Sequence, residues 1–152
     1  MYYTSTHMNF IPVIRELART LQAFESYSSP HIRSMGLTPV QFDVIATLAN
    51  QEPMTFKELG EKTLISKSSL TGVVERMLQK GFVSCADNEL DARSQKLQLT
   101  TKGQRIFEKV FPSHLSYLQV AFDQLTQEEL QEIEKSLQSL HSIFINPQKE
   151  SS

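Results

Sequence analysis

Ser66–Arg105 of the chain reads SKSSLTGVVERMLQKGFVSCADNELDARSQKLQLTTKGQR, and this stretch decides the fold. Ser66 suits an N-cap and Gly81 a C′ terminator, so the two bracket a helix. Inside it Leu70, Val73, Val74, Met77 and Leu78 recur at three- and four-residue spacing, the pattern of a buried stripe. At about 100° per residue, Ser68, Ser69, Gly72, Glu75 and Arg76 fall on the opposite face. That face carries small hydroxyls, a glycine and an arginine, with no large aliphatic side chain. A major groove admits a helix whose leading face is slim and can hydrogen-bond, so the composition fits a groove reader. The same composition also describes an ordinary solvated face.

The segment after the helix separates the two readings. Phe82–Ala86 and Gln95–Leu99 read as short strands around Asp87–Ser94. Val83 opposite Leu97 or Leu99 on an inner face makes a two-stranded hairpin with an exposed polar tip. The tip holds Arg93, two residues after Asp91. An arginine on a projecting hairpin can enter a minor groove, where A·T-rich stretches concentrate negative potential. Asp91, which phosphates repel, is suited to orienting that guanidinium. Arg93 taken by itself could equally sit in a loose surface turn; helix and hairpin together make DNA binding the leading reading.

Upstream, Thr55 and Glu58 in TFKEL form a capping box that opens a helix running to about Lys62, with Leu59 as its core contact. Leu64-Ile65 then turn the chain into Ser66, giving helix, turn, helix. Thr38-Pro39 opens a further helix in which Phe42, Ile45, Ala46 and Ala49 share a face. Downstream, a helix after Thr100-Thr101 carries Phe111, Leu115, Leu118 and Phe122, and Pro112 should kink or end it. Thr126 with Glu129 caps a last helix. Phe10, Ile14, Leu17, Leu21 and Phe24 are spaced 4-3-4-3, and Leu130, Ile133, Leu137, Leu140 and Phe144 are spaced 3-4-3-4. Each is a seam that packs helix on helix, either within one chain or between two copies.

LTPVQFDVIATLANQEPMTFKELGEKTLISKSSLTGVVERMLQKGFV (Leu37–Val83), followed by DARSQKLQLTTKG (Asp91–Gly103), resembles the MarR family of bacterial transcriptional regulators. Leu37-Thr38 with Gln41, the Leu70–Gly81 helix, Asp91-x-Arg93, Leu99-Thr100 and the closing LTQEELQEIEKSLQSL carry the likeness. It implies a mainly α fold: a winged helix-turn-helix of three helices and a two-stranded wing, flanked by N- and C-terminal dimerisation helices. The corresponding division is 1–36 for the N-terminal dimerisation helix, 37–100 for the DNA-binding domain, 101–146 for the C-terminal dimerisation helices and 147–152 for a disordered tail. It further implies a homodimeric regulator, here read as a repressor, on a pseudo-palindromic double-stranded operator. By carry-over Ser66, Lys67, Ser68, Ser69 and Thr71 meet bases or phosphates, beside Arg76 from the helix face, and Arg93 takes the wing arginine position. Three departures stand out: Gly72 replaces a polar or basic contact residue, and basic residues usual near Cys85 and at Ala92 are absent. Small aromatic or phenolic effectors are usual in the family. Phe24, Phe42, Phe111 and His31 are candidates to line such a cleft, while the sequence assigns no effector-binding residue.

Composition bounds the rest. The 152 residues suffice for one domain with attached helices. Net charge is −2, which argues against a general nucleic-acid coat protein. The sign is uneven: residues 55–105 hold nine Lys/Arg against six Asp/Glu, whereas residues 106–152 hold three against seven. The positive segment coincides with the groove reader. Cys85 shares a strand face with Val83 and reads as a small buried hydrophobe. His7, His31, His114 and His141 are scattered without metal-ligand spacing, so no metal or other cofactor is expected. There is no Gly-rich phosphate loop, nucleophile elbow or paired carboxylate and histidine, and an enzyme is not expected. No 18-residue apolar run or leader is visible, so the chain is expected in the cytoplasm with no membrane partner. The competing classes are a winged-helix protein-interaction module and a redox- or metal-responsive regulator of the same fold.

Overall fold

In the computed structural model, which describes residues 8–63, 65–86 and 95–148, the elements run α1 (Ile11–Ser34), α2 (Pro39–Leu48), β1 (Met54–Thr55), α3 (Phe56–Lys62), α4 (Lys67–Gln79), β2 (Val83–Ala86), β3 (Lys96–Leu99), α5 (Thr101–Phe122) and α6 (Gln127–Ile145). Three threonines show how helices begin. The Oγ1 of Thr38, Thr55 and Thr126 accepts from the N–H of Gln41, Glu58 and Glu129, each at 3.1 Å. Those Gln and Glu side chains accept in return from the threonine N–H at 2.7–3.3 Å. Reciprocal capping satisfies donors that a helix start otherwise leaves unpaired, and it opens α2, α3 and α6.

Ser66 occupies the N-cap position of α4, but its hydroxyl does not cap. It lies 3.2 Å from Ser68 Oγ and donates to Ser69 Oγ at 3.0 Å. The other end closes as expected: Phe82 N–H donates to the Met77 carbonyl at 2.9 Å across Gly81, whose φ of +75° suits glycine. Leu70, Val74 and Met77 are buried and Val73 is half-buried. Leu78 is exposed rather than part of the stripe, because about 80° around the helix from Leu70 it falls at the stripe's margin. In α2 the inward residues are Gln41, Val44, Ile45 and Leu48, while the expected Phe42 and Ala46 are only half-buried. This helix packs against α1, α3, α4 and β3, so its apolar residues point several ways and periodicity does not single out one face.

The sheet has three antiparallel strands in the order β1-β3-β2, not the two expected. Val83 pairs with Leu99 and Cys85 with Leu97 on one side of β3; Met54 pairs with Leu97 on the other. Two residues are too few for the alternation that marks a strand, which is why β1 escapes a sequence reading. Leu97 in the central strand is fully buried together with Val44, Leu59, Val74 and Met77. Cys85, expected to be buried, is exposed. It lies on the edge strand two residues nearer the tip than buried Val83, and its Sγ donates to Gln95 Oε1 at 3.6 Å.

Pro112 neither ends nor interrupts α5, which continues to Phe122. The chain divides after Leu115 into two units. In the first, the rings of Phe107, Phe111, Phe42, His114 and His31 follow one another at centroid separations of 4.8–6.2 Å. The apolar stripe of α1 is left open: Phe10 is 62% exposed, Ile14 50% and Leu21 50%. In the second unit α6 has no buried residue, and Ile133, Leu137 and Phe144 are exposed. No helix among the described residues is long and apolar enough to cross a membrane.

Candidate nucleic-acid interface

The site is built on the outer face of α4. Leu70, Val74 and Met77 anchor the helix to the core and so turn Ser66, Lys67, Ser68, Ser69, Thr71, Glu75 and Arg76 outward, all exposed. α3 supports it from behind, with Gly60 so close that a Cβ there would lie 3.5 Å from Leu70 Cδ2. Thr63 ends α3 by donating its hydroxyl to the Leu59 carbonyl at 2.8 Å, and α4 begins four residues later.

Three hydroxyls gather at the start of α4, where Ser66 touches both Ser68 and Ser69. The first-turn N–H groups of a helix lack intrahelical acceptors and carry the positive end of its dipole, so this end suits an anion. One turn further on, the Arg76 Nε donates to the Gly72 carbonyl at 3.2 Å. The guanidinium therefore lies along the helix above Gly72, where no Cβ stands, and its terminal nitrogens keep donors to offer a partner. Among the described residues no carboxylate pairs with Lys67 or Arg76. This surface offers hydroxyls and positive charge and is slim enough for a groove.

Asp91 and Arg93 lie outside the described residues, as does Ala92. Their strands are in place: Ala86 pairs with Lys96 at the foot of that segment. Lys96 and Gln98 are exposed on β3 while Leu97 is buried and Leu99 half-buried. Sequence reasoning missed Lys96, although the alternation Lys-Leu-Gln-Leu already marks it as facing outward. Of the four residues suggested for an effector cleft, Phe42 stacks on Phe111 at 6.2 Å, and His31 joins them through His114. Phe24 is exposed on α1. Spacing in the sequence gives no hint of the buried His114 within this ladder.

The profile of the MarR family matches residues 35–94, from the end of α1 to the wing. The HTH-type transcriptional regulator MhqR of Bacillus subtilis (strain 168) is 27% identical over 115 residues, which span 76% of this chain and 79% of that protein. Among solved structures, AbsC, a MarR family transcriptional regulator from Streptomyces coelicolor, superposes with a TM-score of 0.81 at 24% identity, covering 93% of this chain and 98% of that one. Bordetella bronchiseptica BpsR, whose DNA binding is regulated by 6-hydroxynicotinic acid, superposes with a TM-score of 0.77 at 23% identity, covering 90% and 98%. With its helix-turn-helix and its strand-based wing, the chain carries the DNA-binding winged-helix fold of these structures and is similar to MarR family transcriptional regulators.

Proposed function

We propose that this regulator is a homodimeric repressor that binds a pseudo-palindromic duplex operator and is released by a small aromatic effector. The observation that carries the reading is the outer face of α4, where Ser66, Lys67, Ser68, Ser69, Thr71 and Arg76 present hydroxyls and cations without an exposed apolar anchor at the centre. A protein-docking face would place aromatic or large aliphatic side chains there. Residues 1–36 and 101–146 form the dimerisation helices in this reading. Its support is the open apolar seam of α1, with Leu17 and Phe24 each 43% exposed, and that of α6, with Leu137 50% exposed. Helices that leave such stripes open gain stability by burying them against a second copy.

Two-fold symmetry sets the two α4 helices about one helical turn of DNA apart and so asks for a pseudo-palindrome. Arg93, oriented by Asp91, enters the flanking minor groove. An effector releases DNA by favouring a separation of the two α4 helices that no longer matches the half-sites. A thousandfold release requires about 4.1 kcal/mol of differential ligand binding. The effect of 6-hydroxynicotinic acid on BpsR supports an aromatic acid as the effector class.

The test is fluorescence anisotropy of the purified protein on duplex DNA from its own promoter region and on a scrambled duplex, at two salt concentrations. Tighter promoter binding, two subunits per duplex and a loss with salt are expected. Equal weak binding to both duplexes would overturn the reading in favour of a protein-docking role.

A further inference from the structure

Gly72 stands in the middle of α4, where glycine weakens a helix relative to alanine. Neither its backbone nor its packing asks for glycine. Among the described residues the glycines with positive φ are Gly36 and Gly81, not Gly72. A Cβ built on Gly72 would meet one described atom within 4 Å beyond the helix backbone and the adjoining residues, Arg76 Nη2 at 3.5 Å. What the missing side chain leaves room for is therefore the Arg76 guanidinium.

That place is the crest of the helix. At about 100° per residue, Gly72 points roughly opposite to Leu70, Val74 and Met77, which hold α4 to the core. Ser68 and Ser69 stand exposed to either side of it, one turn earlier. Arg76 Nε donates to the Gly72 carbonyl at 3.2 Å, so the side chain runs back one turn and its fork lies over the crest. With Nε engaged, the two terminal nitrogens remain as a planar pair of donors. Such a pair fits two acceptors side by side, and in the major groove guanine N7 and O6 are that pair. Adenine sets a donor beside its N7 and does not fit. A phosphate also accepts a fork, but exposed Glu75 on the adjoining flank offsets the charge of Arg76 and weakens its pull on a backbone. The neutral acceptors of guanine are not repelled by that carboxylate.

We propose that Arg76 reads one guanine in each half-site of the operator through N7 and O6, and that Gly72 is the positioning residue that lets the guanidinium lie over the helix crest. This base contact rests on the DNA-binding reading above and adds to it the base that α4 selects.

The test uses duplex DNA from the promoter region, prepared with guanine or with 7-deazaguanine, which pairs normally but lacks N7. The native protein should bind the deaza duplex about tenfold to a hundredfold more weakly. Arg76→Ala should bind both alike, at about the affinity of the native protein for the deaza duplex. Gly72→Ala, whose Cβ meets Nη2 at ordinary contact distance, should keep the native preference. Gly72→Gln, which fills the crest with a longer side chain, should lose that preference while melting no lower than the native protein, because glutamine is the better helix former. Circular dichroism checks that each variant is folded. Dependence on N7 that survives in Arg76→Ala would overturn the guanine contact and leave DNA binding standing. So would equal binding of both duplexes by a native protein that still prefers promoter to scrambled DNA. An unchanged preference in Gly72→Gln would overturn the role of Gly72. A native protein that prefers no duplex would remove the DNA reading and the guanine contact with it.

Discussion

His31 Nδ1 and His114 Nδ1 face each other at 2.9 Å, with their rings inclined by 22°. One of the two nitrogens carries a proton and the other accepts it. On the far side of its ring, His114 Nε2 lies 2.9 Å from the buried Ser28 Oγ. Ser28, His114 and His31 thus form a chain that can point its protons in either direction, but two imidazolium rings cannot keep the central contact.

Burial, and then the charge of His31, lower the His114 pKa from the usual 6.5. The folded protein binds this proton less readily than the unfolded chain. The stability that depends on neutral His114 is complete above the unfolded value and is lost as pH falls below about 6.5. Thermal melts between pH 7.5 and 5.5 should show the native protein losing more of its Tm than a His114→Gln variant. Equal slopes would exclude His114 as the source.

Thr55 is both the ladder partner of Lys96 and the N-cap of α3. Thr55→Ala should cost about 1 kcal/mol of unfolding free energy in urea titrations, and Thr55→Ser should recover most of it. An alanine variant as stable as the native protein would show that the capping box contributes nothing.

Gly103 and Gly36 should behave differently for separate physical reasons. A Cβ on Gly103 would overlap the Phe82 carbonyl oxygen, a backbone atom that cannot step aside cheaply. Gly36 has open space around it, but its φ is +86°. Gly103→Ala is expected to cost about 3 kcal/mol and Gly36→Ala about 1 kcal/mol, read from denaturant midpoints. The reverse order would contradict the close approach of α5 to Phe82.

Ser69→Leu should abolish promoter-specific binding while sedimentation still gives the native protein's oligomeric state, a dimer in the proposed reading. Arg76→Ala should raise Kd about tenfold. Arg93→Ala should lose most on duplexes with A·T-rich flanks, whereas an equal loss on all flanks would mean that it only neutralises phosphate. Retained specificity in Ser69→Leu would move the recognition surface away from α4.

Cys85 should react with a disulfide reagent in the native protein at a rate within about tenfold of the unfolded chain, because it is exposed. Protection by several orders of magnitude would contradict its position on the edge strand.

The elements that announce themselves by local chemistry were legible in the sequence. The capping boxes at Thr55 and Thr126 and the Gly81 terminator depend on neighbours within a few residues, and the hairpin that sets Val83 opposite Leu99, where the sequence left Leu97 or Leu99 open, joins two strands adjacent in the chain. Features set by distant partners were not. β1 exists only because β3 lies beside it, and α2 faces several neighbours at once. Cys85 follows the strand alternation, yet the cover over its face ends before it. The α4 surface was visible as a polar face, but the fold-back of Arg76 onto Gly72 is a matter of rotamer, which spacing does not encode. His31 and His114 are 83 positions apart, and no pattern in one chain links them.

The two-residue strand β1 changes the wing mechanically. A hairpin attached by one edge can swing about its base like a door. Here β3 is clamped on both edges, by Met54 and by Cys85 across Leu97, and Met54 leads directly into the cap of α3. The strands and the helix-turn-helix therefore turn as a single lever of fixed angle. In the dimer proposed above, adaptation to a new operator spacing has to come from the seams of α1 and α6, while changes of base preference can accumulate on α4 without disturbing that spacing.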